Sequence, residues 1–264
     1  MGVALAGIAF RSKDASQSVE ALVSNLFASP CYEIAAPRGR EFDIRRPTDV
    51  MVEFFDDVCF VYSDALIWDV LDNPDADVGH IAAKLGNPEV LLGFCHYDSG
   101  GSYGYVFVEN GVRTRSRLQT TDLPNHPPIQ EHGVPKAFET RWLSAPSYLE
   151  EDESAPPEDL VRVYYLEAEN LHVADFALTS HLLYEALIEN FGVCPWGSDA
   201  RSKPRFFKLG TKATESTPSN EVVDKANGER DSEQSKAFGT PGQMSHGTSK
   251  RFSLASVLNL LRRR

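Results

Sequence analysis

The chain has 264 residues, with 26 Lys and Arg against 38 Asp and Glu, a net charge of −12. Residues 1–200 carry 13 basic and 32 acidic side chains, a net of −19, and residues 201–264 carry 13 and 6, a net of +7. An acidic body of this kind is a poor nucleic-acid-binding surface, which needs clustered Lys and Arg, and no apolar run reaches the ~18 residues of a membrane span.

In chain order, Val3 to Phe10 reads as a buried strand. Asp14 or Ser16 is placed to cap the next helix, where Val19, Leu22, Val23 and Leu26 follow helical spacing. Tyr32 to Ala35 is a second short strand. The apolar runs 51–55 and 58–62 flank Asp56-Asp57 as a tight hairpin would. Short helices follow over Asp64–Leu71 and Asp77–Leu85.

A meander comes next: strands Val90–Tyr97, Tyr103–Glu109 and Val112–Gln119, the last two joined by Asn110-Gly111, the strongest short-range hairpin signal. The Cys95 strand is apolar on both faces and is expected at the centre of the sheet. Arg113, Arg115 and Arg117 alternate, which predicts that all three share one face. Residues 120–159 contain seven prolines and read as loop. Leu160–Leu166 is a strand. Phe176–Phe191 is a helix with a buried stripe of Leu182, Leu183, Ala186, Leu187 and Phe191.

Irregular interleaving of strands and helices around antiparallel hairpins predicts an α+β fold with a mixed, mainly antiparallel sheet and flanking helices. The globular domain is expected over residues 1–197. Residues 198–250 read as a disordered linker, because 211–250 hold only Val222, Val223 and Phe238 among Leu, Ile, Val and Phe. Residues 251–264 read as a basic amphipathic helix, whose spacing would put Leu254, Val257, Leu258 and Leu261 on one face with Arg262, Arg263 and Arg264 at its end.

The motifs for chemistry fail on context. Gly100-Gly101-Ser102-Tyr103-Gly104 spells GxSxG, yet a nucleophile elbow needs strand, turn and helix, and here a hairpin follows. Cys95 and His96 are neighbours on a strand and face opposite ways. The four cysteines form no CxxC, which points to a reducing compartment without disulfides. Basic residues follow the apolar start, the wrong order for a signal peptide, so a cytoplasmic location is expected. No HxxxH, HExxH, P-loop or GxGxxG is present, and no cofactor or metal is expected.

What remains is charge. Glu53, Asp56, Asp57, Asp64, Asp69, Asp72, Asp75 and Asp77 lie in a stretch without a basic residue between Arg46 and Lys84. A second run is Glu150, Glu151, Asp152 and Glu153. The bland reading is a solvated acidic face. The sharper one is an electrostatic surface for a basic protein partner, with Asp56, Asp57, Asp64, Asp69, Asp72, Asp75, Asp77 and Glu150 to Glu153 as its contacts.

The N-terminal strand, helix and acidic hairpin, together with residues 103–115 (YGYVFVENGVRTR), 134–142 (VPKAFETRW) and 177–192 (ALTSHLLYEALIENFG), resemble bacterial domains of unknown function. Several such domains are encoded beside secreted toxins as immunity proteins. The resemblance spans residues 1–192 and carries over no functional residue. It implies a cytoplasmic protein without catalytic groups that binds and neutralises a cognate interbacterial toxin with a basic surface. A nuclease is the toxin class that charge mimicry fits best. The alternatives are a hydrolase using Ser102 or Cys95, and a non-catalytic regulatory or scaffold protein that recruits through residues 251–264.

Overall fold

Asn110 and Gly111 take φ of 52° and 78°, the type I′ geometry whose twist matches the strands on either side. They join β6 (Ser102–Glu109) to β7 (Val112–Gln119). The computed structural model describes residues 4–12, 18–38, 41–120, 128–151, 160–197 and 202–212. The remaining strands are β1 (Ala4–Arg11), β2 (Cys31–Ile34), β3 (Asp49–Phe55), β4 (Val58–Tyr62), β5 (Val90–Tyr97), β8 (Ile129–Gly133), β9 (Ser147–Glu151), β10 (Leu160–Leu166), β11 (Leu171–Ala174) and β12 (Arg205–Leu209). The helices are α1 (Val19–Phe27), α2 (Asp64–Asp72), α3 (Gly79–Lys84), α4 (Ala137–Leu143) and α5 (Asp175–Phe191).

Nine strands form one sheet in the order β2-β12-β3-β4-β1-β5-β6-β7-β8, and β11-β10-β9 form a second. Every ladder among the described residues is antiparallel. The fold is α+β. No helix among the described residues is long and apolar enough to cross a membrane.

The large sheet is buried on both faces. On one, Ile8, Val61, Cys95 and Val106 meet Val23 of α1, Ile67 of α2 and Ile81 of α3. On the other, Phe60, Phe94, Tyr105 and Phe107 meet Trp142 of α4 and Leu182 and Leu187 of α5. This double burial explains why β4 and β5 read as continuous apolar runs. β5 lies between β1 and β6, in the interior of the sheet as expected. The four cysteines are buried free thiols.

Four sequence expectations change. The cap of α1 is Ser18, whose Oγ accepts from the Ala21 N–H at 3.0 Å; Asp14 and Ser16 lie outside the described residues. The stretch 120–159 is not all loop, for it holds β8, α4 and β9. β8 and β9 are exposed sheet margins, so they lack the apolar alternation that marks a half-buried strand.

The arginines of β7 divide. The register of β7 on β6 shifts between Phe107 and Val108, so that Phe107 pairs Arg115 and Val108 pairs Arg113, with Thr114 extra. One extra residue flips everything before it to the opposite face. Arg115 and Arg117 therefore face α4 and α5, while Arg113 turns to α2 and donates to the carbonyls of Val70 and Asn73 at 2.8 and 3.1 Å, capping that helix. Gly133 lies against the bulge with φ of 78°; a Cβ there would stand 2.1 Å from the Thr114 carbonyl oxygen.

The domain boundary at residue 197 also moves. β12, inside the expected linker, inserts between β2 and β3 and buries Phe207 completely. The body accordingly runs through Lys212. The rest of that linker and the expected helix at 251–264 lie outside the described residues.

Candidate functional site

The first acidic cluster separates along the sheet. Asp56, with φ of 54°, and Asp57 make the β3–β4 turn. That turn lies at the end of the sheet where β1 finishes, since Arg11 pairs Val58. Asp72, Asp75 and Asp77 follow α2 toward the same end, where Gly79 approaches Gly111 of the β6–β7 turn. Asp64 begins α2 at the opposite end, beside the last residue of β5. Glu150 and Glu151 sit on β9, in the small sheet that packs with α4 and α5 on the other face. Asp152 and Glu153 lie outside the described residues.

Several of these acids are committed internally. Asp57 accepts a bidentate pair from Arg11 at 2.8 and 2.7 Å, and that hydrogen-bonded guanidinium holds its carboxyl below the usual range. Asp64 accepts from the Tyr97 hydroxyl. Asp77 Oδ1 accepts from the Gly79 N–H at 2.8 Å, opening α3. One oxygen of Asp72 is buried. Asp56, Asp69, Asp75 and Glu151 are exposed and form no ion pair among the described residues. Glu150 receives at most a long bond, 3.5 Å, from the Tyr148 hydroxyl.

The two nucleophile candidates are set in the framework. Ser102 opens β6, and its Oγ reaches only the Gly100 carbonyl at 3.5 Å, in a hairpin rather than an elbow. Cys95 is fully buried in the α2-side core, where burial pushes its thiol far up, away from the thiolate a nucleophile requires. His96, next to it, faces the opposite layer, as strand alternation predicts.

Two polar groups escaped the sequence reading. The first is a buried ion network. Arg115 Nε donates to Glu139 Oε1 at 2.8 Å, the Lys136 backbone N–H donates to Glu139 Oε2 at 2.6 Å, and Tyr105 adds its hydroxyl. Glu131 accepts from both Arg115 and Arg117, and Arg117 Nε reaches Thr179 Oγ1 at 2.9 Å. Burial raises the Glu131 carboxyl, but the two guanidinium groups outweigh it and leave it below its ordinary value. Two arginines face two glutamates, so the network is neutral and joins β6, β7, β8, α4 and α5 without offering a free charge.

The second is a line of Asp98, His96 and Ser180. His96 Nδ1 lies 3.4 Å from Asp98 Oδ1, and its Nε2 lies 3.0 Å from Ser180 Oγ. Burial depresses the imidazole pKa against the opposing pull of Asp98. Trp196 covers the ring at 4.7 Å between centroids and Tyr103 approaches its edge at 5.1 Å, leaving His96 4% exposed. His96 and Asp98 share a face through their two-residue spacing. Ser180, from α5, is brought in only by the fold.

No family model, curated protein or solved structure matches this chain.

Proposed function

We propose that this chain is an immunity protein, which binds a secreted toxin inside the cell and blocks it with surface carboxylates. The observation that carries this reading is the division of the acids. Asp57, Asp64 and Asp77 are engaged by an arginine, a tyrosine and a backbone donor, whereas Asp56, Asp69, Asp75 and Glu151 are held out to solvent without an ion pair among the described residues. Unmatched charge of one sign steers a partner of the other and raises its association rate. A basic toxin, such as a nuclease with a phosphate-binding groove, is such a partner. No catalytic group is required, because occupying the toxin's groove is sufficient.

The test is co-expression with the protein encoded beside this gene. Protected growth, and a purified complex whose association slows roughly tenfold or more as salt rises, support the reading. Unprotected growth with no complex overturns it.

A second reading rests on the Asp98–His96–Ser180 line, which has the order of groups used in acyl transfer. There, His96 would take the Ser180 proton and Asp98 would steady the resulting imidazolium. Against it, Ser180 lies within α5 and Trp196 covers the imidazole. Covalent labelling of the intact chain by a fluorophosphonate, abolished by Ser180→Ala, supports hydrolysis; an unlabelled chain removes it.

A further inference from the structure

We propose that the outer edge of β9 is a docking site for an extended basic segment of a partner protein, which adds to the small sheet as a fourth strand. The partner's nature rests on the immunity reading; the surface is argued independently. β9 is the terminal strand of its sheet, and nothing among the described residues pairs with its outer edge. All five of its residues are exposed. It contains no proline, lysine or bulge, and its only guard is the pair Glu150 and Glu151, which repels an acidic strand and not a basic one.

Both faces of the edge offer side-chain anchors. On one, Tyr148, Tyr165 and His172 form a ring cluster with centroids 6.0–6.1 Å apart, and Tyr148 is 41% exposed. On the other, Leu149 and Leu160 are 59% and 50% exposed, beyond the inner end of the sheet where Tyr164 and Val173 pack on the core. An added strand presents alternate side chains to these two faces while its backbone supplies the affinity.

Charge selects the occupant. β9 itself carries Glu150 and Glu151, one on each face, and no basic residue. A second copy of this edge would set like charges opposite one another, which disfavours self-pairing. A strand alternating Lys or Arg with apolar residues satisfies the edge, the anchors and the field together.

The experiment adds an alternating Lys–Val decapeptide, or its Glu–Val counterpart, to the full chain and follows backbone hydrogen exchange. With the Lys–Val peptide at about ten times its Kd, exchange at residues 147–151 slows roughly tenfold. Leu149→Lys, at an exposed position, abolishes that protection without lowering the melting temperature. Protection at β2 or β8 instead, equal protection by the Glu–Val peptide, or no protection overturns the proposal. Toxin neutralisation separates the two readings. If Leu149→Lys still neutralises and Asp69→Lys with Asp75→Lys does not, the β9 site falls and the immunity reading stands. If the peptide docks on β9 but no toxin is bound, the site stands and the immunity reading falls.

Discussion

Arg113 and Arg115 stand two residues apart on one strand, yet Arg113 caps α2 on one face of the sheet and Arg115 pairs with Glu139 on the other. The extra residue, Thr114, makes this possible, and Gly133 is the neighbour that lets the bulge close.

Gly133→Ala is therefore expected to cost more than Gly86→Ala. The two glycines share nearly the same φ, 78° and 76°, so both substitutions carry the left-handed penalty of roughly 1 kcal/mol. A Cβ at Gly86 meets open space, while one at Gly133 collides with backbone. Urea unfolding of the two variants measures the difference; equal losses would refute the account of the bulge.

Glu139 is fully buried and serves three donors at once. Glu139→Ala leaves Arg115 buried and deprived of the fully buried one of its two carboxylates, a loss of about 3–5 kcal/mol. Glu109→Gln breaks the half-exposed pair with Lys136 and should cost under about 1 kcal/mol. Chemical denaturation of both checks the ranking.

Stability is expected to fall on mild acidification because of His96. Burial keeps its imidazole below the ordinary 6.5, so as pH drops past that value the unfolded chain takes up the proton first. Stability from this group is complete above 6.5 and declines beneath it until the folded imidazole also protonates. His96→Gln should flatten the dependence between neutral pH and about pH 5, above the range where carboxylates titrate. An unchanged slope in unfolding free energy would contradict the assignment.

A chain ending at residue 197 should be less stable than one ending at 212. The shorter chain lacks β12, the only strand that links β2 to β3, and loses the burial of Phe207. Thermal melts of the two truncations are the comparison.

Local signals in the sequence carried much of the fold. Asn110-Gly111 and Asp56-Asp57 set their hairpins through their own backbone preferences, and the stripe of α5 follows from its spacing. What escaped depends on distant partners. The apolar residues of β12 have meaning only once Cys31 to Ile34 and Val50 to Val52 are beside them. The bulge at Thr114 reverses a face without changing the pattern of letters. The site was legible as charge but not as geometry. Asp57 and Asp56 are indistinguishable in sequence, yet only Asp57 is met by Arg11, and Ser180 gives no hint that it meets His96 from 84 residues away.

The position of β12 has a consequence during synthesis. β3 emerges with one side paired to β4, and its other side has no partner until Arg205 to Leu209 are made, ~150 residues later. At roughly 5–20 residues per second, that interval is on the order of ten seconds. Through that time the nascent chain carries an open β edge bearing Val50 and Val52, and β2 can join the sheet only at its end. The last strand described is thus the one that closes the open edge of β3.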